Sequence, residues 1–284
     1  FMPGGTVSRA TNETARFETS LLDQYSGLKR FYAIDPTDGA VQRTRIAGLP
    51  SSVDAAEGFS DPGVRQAFVA YAVYVAKNYR PDYLALGVEV NMMAERVPRL
   101  YDSFVTLYRE AYEAAKAASP KTKIFPTFQL EDLLGTYGIA HAPRWNLIDQ
   151  FRGTMDALAV SSYPFLAGVR TVADLPPDYY TQIRTHFAGE ILVAETGYAS
   201  APVEGHAVVG TEEDQQAFLA RILDDAEKTG FSLVVWFAAL DPAFSAGAAP
   251  GFKDIGLRRA DGGNKLAWTT WEEWARRPVR QGSR

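Results

Sequence analysis

Glu190-Ile191-Leu192-Val193-Ala194-Glu195-Thr196-Gly197-Tyr198 is the stretch whose reading decides the fold. An apolar run of strand length ends in one carboxylate, and a glycine and an aromatic follow at once. A short continuous apolar run bounded by turn residues reads as a buried parallel strand, because a strand covered on both faces has no polar face to alternate with. Glu195 then stands where the strand gives way to its loop. Polar residues at the carboxyl ends of parallel strands usually serve a ligand rather than the core. Tyr83-Leu84-Ala85-Leu86-Gly87-Val88-Glu89-Val90-Asn91 repeats the design, with Glu89 as the single carboxylate at the strand end.

Outward from these two stretches, strands and helices alternate. Strands are predicted at 28–34, 83–90, 123–129, 156–163, 190–196 and 232–237. Helices are predicted over 12–25, 63–78, 100–118, 178–186, 212–229 and 267–275, with a helical turn at 145–151. Ser60-Asp61-Pro62 starts a helix with proline in the first turn, and Thr211-Glu212-Glu213-Asp214 starts one with acids facing the helix dipole. Pro126 has no N–H to give a ladder and so interrupts the run 123–129. Such alternation implies parallel βαβ units, and the expected class is α/β, a (β/α)8 TIM barrel. Six of the eight strands are legible and the chain opens inside a helix, so the first two either lie upstream of residue 1, which is the favoured expectation, or are irregular within residues 1–11. No linker or repeat divides residues 1–284, which are expected to form one domain with a loop or frayed start at 1–11 and a tail at 277–284. The stretch 35–60 is too long for a connector, and substrate-facing loops are the commonest use of such lengths.

Composition removes several function classes. A formal net charge of −5 with no broad basic face argues against a nucleic-acid partner. The absence of cysteine excludes disulfides, thiolate metal sites and cysteine nucleophiles. His141, His186 and His206 show no ligand spacing, so neither a metal nor another cofactor is expected. Walker, Rossmann and G-x-S-x-G patterns are missing, and Ala239-Leu240-Asp241-Pro242 offers no glycine loop for phosphate. No apolar run approaches membrane-spanning length, and no signal-type segment opens the chain. A processed secreted protein has the same appearance, and the expected location is secreted or periplasmic.

With the last strand counted as the eighth, Glu89 follows the fourth, Tyr163 the sixth and Glu195 the seventh, and Trp236 lies on the eighth. In this order the chain resembles, over roughly residues 28–275, the large clan of retaining glycoside hydrolases with TIM-barrel folds. Glu195-Thr196-Gly197-Tyr198 looks like the strand-seven motif of its galactanase- and glucanase-like members. Gly87-Val88-Glu89-Val90-Asn91 resembles their Gly-Asn-Glu-x-Asn motif. The resemblance implies a carbohydrate substrate with β-linkages, Glu195 as nucleophile, Glu89 as acid/base and Trp236 as a sugar platform. The chain departs from the motif at Val88, where the clan has an Asn that contacts the sugar 2-hydroxyl. An apolar Val cannot make that hydrogen bond, and Asn91 is too far along to replace it.

The physical requirements of the pair agree with this assignment. A retaining double displacement needs two carboxyls roughly 5–5.5 Å apart, one ionised to attack and one protonated to donate. Their environments must therefore push the two pKa values apart. Tyr163 could donate its hydroxyl to Glu195 and hold it ionised, or pack as a rim tyrosine on a loop. Trp236 is either a stacking platform or a core residue. Asp35, Asn91, Gln129, Ser161, Ser162 and Asp241 are polar residues at strand ends, suited to recognising sugar hydroxyls. Two other readings fit the same residues: a glycan-binding barrel without turnover, and a barrel enzyme using the glutamates for metal-assisted proton transfer.

Overall fold

Strands form where the apolar runs are, and helices where the apolar spacing is helical. The computed structural model describes residues 13–49, 51, 53–243 and 250–278; the expected loop at 1–11 and the expected tail from 279 onward lie outside the described residues. In chain order the elements are α1 (Glu13–Gln24), β1 (Phe31–Ile34), α2 (Pro62–Asn78), β2 (Tyr83–Leu86), α3 (Asn91–Arg96), α4 (Pro98–Ala118), β3 (Lys123–Phe125), β4 (Thr127–Gln129), α5 (Leu130–Leu133), β5 (Leu158–Ser162), α6 (Ile183–His186), β6 (Ile191–Thr196), α7 (Glu212–Thr229), β7 (Leu233–Trp236) and α8 (Leu266–Ala275). Contacts group the chain into two units, residues 1–129 with 144–159, and residues 130–143 with 160–284.

In the first unit, β1, β2 and β3 form a parallel sheet in that order, with Phe31 beside Tyr83 and Tyr83 beside Lys123. Every residue of β2 is buried, as a central strand covered on both faces requires. The predicted strand 83–90 stops at Leu86, because Gly87 takes φ 103° and Glu89 φ 50° and the chain turns away before the carboxylate. A Cβ on Gly87 would lie 2.5 Å from the Phe104 ring and 2.8 Å from the Val90 side chain, so only glycine fits there. Past this turn the pairing resumes: the Thr127 N–H donates to Gly87 O at 3.0 Å, and the Val90 N–H to Thr127 O at 2.9 Å. β3 and β4 are the two halves of the predicted run 123–129, separated at Pro126.

Helix starts in this unit follow their sequence signals. Asp61 caps α2 by accepting from the Val64 N–H at 2.8 Å, with Pro62 in the first turn. α4, which opens on Pro98, packs on α2. Between them Phe104 meets Phe59 and Phe68 edge-on, with ring centroids 5.3 and 6.4 Å away. The far end of α4 is tied down by Asp156, which accepts from Tyr112 Oη at 3.0 Å, Lys116 Nζ at 2.7 Å and the Ile124 N–H of β3 at 2.7 Å.

In the second unit, β6 and β7 pair in parallel, and Thr196 Oγ1 donates to Ser162 O at the end of β5, 2.8 Å away. Thr211 caps α7 by accepting from the Asp214 N–H at 3.0 Å, and Gly230 ends the helix at φ 73°. Phe218 of α7 anchors the core, stacking on Tyr198 at 4.9 Å and tilting on Trp236 at 6.0 Å. Trp236 therefore requires a correction. The expected open sugar platform is a core residue, 7% exposed, with its indole N–H donating to Ile255 O at 3.0 Å. Successive strand side chains point to opposite faces, and Trp236 falls on the one turned toward α7.

Two stability outcomes follow. Trp236→Ala should lose roughly 3–5 kcal/mol in denaturant melts, the range for truncating a buried aromatic; a platform residue would leave the midpoint nearly unmoved. Gly87→Ala should lose about 1–3 kcal/mol from backbone strain and overpacking. Gly27→Ala is the matched control, since nothing lies within 4 Å of the added methyl.

Candidate active site

Glu89 sits on the turn that follows Gly87, and its N–H donates to Thr127 Oγ1 at 2.9 Å. A left-handed conformation is unfavourable for a residue with a Cβ, and persists where the surroundings over-determine it. Glu89 Oε2 accepts from Arg43 Nε at 3.1 Å and Arg43 Nη2 at 3.0 Å. Arg43 is 7% exposed, and its Nη1 also donates to Asp35 Oδ2 and, at 3.3 Å, to Thr37 Oγ1. Burial works against the charge of Arg43, but the two carboxylates outweigh it and raise its pKa above the ordinary value. Arg43 at φ 63° and Gln42 at φ 53° are left-handed as well. Gln42 Oε1 accepts from Arg96 Nε of α3 at 3.2 Å, which braces the turn against the helix that follows Glu89.

The other residues predicted near Glu89 serve the protein itself. Asp35 shares Arg43 and closes its own turn, accepting from the Thr37 N–H at 3.0 Å and Thr37 Oγ1 at 2.8 Å. Asn91 is fully buried and pairs with Gln129 as a strand neighbour would: Asn91 Nδ2 donates to Gln129 O at 3.0 Å, and Asn91 Oδ1 accepts from the Gln129 N–H at 2.8 Å. Both amide atoms of Asn91 are thus engaged with backbone, which corrects its expected role in hydroxyl recognition.

Glu195 lies in a β-bulge. Val193 pairs with Val234 and Thr196 with Trp236, so Ala194 and Glu195 together face the single residue Val235. Bulges bend a strand and re-aim one side chain, and they concentrate next to functional sites. The Tyr163 hydroxyl, buried just beyond β5, donates to Glu195 Oε1. Behind it the rings form a wall: Phe252 meets Tyr163 edge-on at 4.9 Å and Phe237 at 5.8 Å. Phe237 is the first residue past β7, on the opposite face from Trp236, and the Phe237–Ala238 peptide is cis. Gly197 makes room for this corner, since a Cβ there would lie 2.6 Å from Ile255 and 2.8 Å from Phe237 O.

A second carboxylate of this unit is Glu131 on α5, fully buried. Its Oε1 accepts from Ser162 Oγ at 2.6 Å and Tyr179 Oη at 2.8 Å, and its Oε2 from the Tyr163 N–H at 3.1 Å. Burial raises its pKa above the ordinary carboxylate value, and these three donors together with the Glu131 N–H offset that only in part. Ser162 is therefore engaged with Glu131 and, at 3.0 Å, with Tyr180 Oη; Ser161 is buried within β5. Asp241 holds a loop together, accepting from the Gly256 N–H at 2.9 Å and Lys265 Nζ at 2.6 Å, and Lys265 reaches on to Ser200 Oγ at 2.9 Å. Among the described residues no group of three His, Asp or Glu is arranged to hold a metal ion.

The geometry thus gives two carboxylates distinct settings. Glu195 is hydrogen-bonded by a neutral phenol beside aromatic faces, whereas Glu89 is ion-paired with a buried guanidinium. Arg43, Glu131, Phe237 and Phe252 were not singled out from sequence. Strand alternation around Trp236 carried the signal for Phe237, and no periodic pattern marks the other three.

No family model and no curated protein matches the chain. Solved structures do match it. An exo-β-1,4-mannosidase from Opitutaceae bacterium strain TAV5 superposes with TM-score 0.68 at 19% identity, covering 97% of this chain and 50% of that one. A family 5 glycoside hydrolase of subfamily 18 from Streptomyces cattleya, in complex with Manβ1-4GlcNAc, gives 0.65 at 16% identity, covering 96% and 70%. Fungal β-1,4-galactanases give 0.63 at 16% identity, covering 92% and 82%. The chain spans half the length of the mannosidase chain. At 19% identity or less the likeness shows the fold, and the fold is the α/β (β/α)8 class shared by these TIM-barrel glycoside hydrolases.

Proposed function

We propose that the chain is a retaining glycoside hydrolase that cleaves a β-linked poly- or oligosaccharide by a two-glutamate double displacement. The observation that carries the reading is the Tyr163 hydroxyl on Glu195, at a strand-end bulge lined by aromatic rings. A donor on the carboxylate favours its anionic form and fixes its orientation for attack. The shared fold supports the same reading, since the matched structures include enzymes named for β-1,4-linked substrates. A sugar polymer as substrate also suits a secreted or periplasmic location.

In the first step Glu195 attacks the anomeric carbon as the glycosidic bond breaks, and Glu89 gives a proton to the departing oxygen. In the second, Glu89 takes a proton from water, which attacks the same carbon and frees Glu195. Arg43 sets a condition on this cycle. As the partner of Arg43, Glu89 is the anion of an ion pair, so that contact must loosen before Glu89 can donate a proton. The same pair, together with Val88, favours a second reading in which the barrel binds glycans without turning them over.

Kinetics of two variants separate the roles and the readings. Glu195→Ala should abolish turnover on every substrate. Glu89→Ala should spare the first step for activated aryl glycosides, and added azide should restore turnover with retained anomeric configuration, because azide needs no general base. An inverted azide adduct from Glu89→Ala would exchange the two assignments. Absence of hydrolysis by the wild-type protein across a glycan panel, with binding retained, would establish the non-catalytic reading.

A further inference from the structure

Building on the reading of Glu195 as nucleophile, we propose that Glu131 is a positioning residue, which fixes Tyr163 from its backbone side and through it the hydrogen bond to Glu195. β5 ends at Ser162, so the Tyr163 N–H lies just past the last residue of the strand; Glu131 Oε2 accepts it at 3.1 Å. Pro164 follows immediately and opens the 3₁₀ turn Pro164–Ala167, which restricts Tyr163 from the other side. Glu131 Oε1 meanwhile accepts from Ser162 Oγ at 2.6 Å, so one buried carboxylate holds two consecutive residues. Ser162 O in turn accepts from Thr196 Oγ1 at 2.8 Å, and Thr196 follows Glu195 directly. The circuit is closed: Glu131 holds Ser162 and Tyr163, and these two hold Thr196 and Glu195. Tyr179 Oη also donates to Glu131 Oε1, at 2.8 Å.

The choice of residue supports a positioning role. A fully buried carboxylate is unfavourable even with several donors, and packing alone is served as well by an amide or an apolar side chain. Two separated oxygens accepting three donors in different directions are what a carboxylate supplies and an amide does not. Glu131→Gln places an N–H₂ against either the Tyr163 N–H or the two hydroxyls, so the fold can be kept while the placement of Tyr163 is loosened.

The test uses the full chain and a double-mutant cycle with Tyr163→Phe. Glu131→Gln should lower kcat about tenfold or more while KM stays within about threefold, the pattern of an interaction that acts on the transition state. If Glu131 acts through the Tyr163 hydroxyl, the double variant should be no slower than Tyr163→Phe alone. Losses that multiply, or a Glu131→Gln variant with wild-type kcat, would overturn the proposal. Should Glu131→Gln fail to fold by circular dichroism, Tyr179→Phe takes its place in the same cycle, with the same criterion. A readout independent of turnover is the ¹⁹F resonance of 3-fluorotyrosine placed at 163. It should move in Glu131→Gln in the direction seen for Glu195→Gln, and a resonance that ignores Glu131 would refute the link. A wild-type kcat in Glu131→Gln beside an inactive Glu195→Ala would remove this inference alone; an active Glu195→Ala would remove the reading of the site itself.

Discussion

A carboxylate taken out of water must find donors, and the ends of these strands are organised around that requirement. A buried charge with too few partners is among the most unfavourable features a fold can carry, whereas each hydrogen bond to a charged group contributes about 1.5–3 kcal/mol. Three glutamates, Glu131 fully buried and Glu89 and Glu195 half-buried, meet the requirement in three ways. Glu89 takes the guanidinium of Arg43, Glu195 takes the phenol of Tyr163, and Glu131 takes two hydroxyls and a backbone N–H. A cation neutralises the charge it meets, while a hydroxyl leaves it in place and only orients it. The difference between the first two solutions is therefore chemical as well as structural, and it is what the proposed attacking role of Glu195 rests on.

Backbone irregularity gathers at the same places. Gln42, Arg43 and Glu89 are left-handed, Gly87 turns the chain out of β2, and β6 bulges at Ala194 and Glu195. Regular parallel strands would carry these side chains along the strand direction at a fixed alternation. Each departure costs on the order of 1–3 kcal/mol for a residue with a Cβ and is retained where neighbours over-determine it. Here those neighbours are visible: Thr127 under the Glu89 N–H, Arg96 under Gln42, and the β7 ladder on either side of the bulge. The regular parts of each unit thus hold the irregular parts in register.

The same division explains what could be read from the sequence. Glu89 and Glu195 stand at the ends of apolar runs, and Tyr163 follows one that closes on Ser161 and Ser162, so parallel-strand physics sets them apart. Pro126 predicted a break that occurs, and the caps Asp61 and Thr211 lie where helix starts were expected. The turn at Gly87 was not legible, because a glycine inside an apolar run reads equally as strand or as turn until the Phe104 ring is placed over it. Arg43 sits in a long loop, where it and Gln42 are left-handed without being glycines. Glu131 lies on a helix of only four residues, too short for any periodic pattern. Trp236 is the instructive error: choosing between adjacent aromatics at a strand end requires knowing which face is the core, and the position of Phe218 decides it.

Arg43 is where the structure bears most directly on mechanism. At an effective dielectric near 20, opposite charges 4 Å apart attract by about 4 kcal/mol before desolvation is counted, a barrier that a working acid cannot ignore. Asp35 changes the balance, because Arg43 already holds it as a second carboxylate. In the proposed cycle, a proton on Glu89 would leave Arg43 with one full counter-charge, so that it is not buried and unpaired. With two carboxylates on one buried arginine, loss of either contact leaves the guanidinium with a counter-charge. A Glu89 paired with Arg43 alone would leave the guanidinium with no second counter-charge, and Asp35, read from sequence as a residue for substrate hydroxyls, is engaged instead with Arg43 and Thr37.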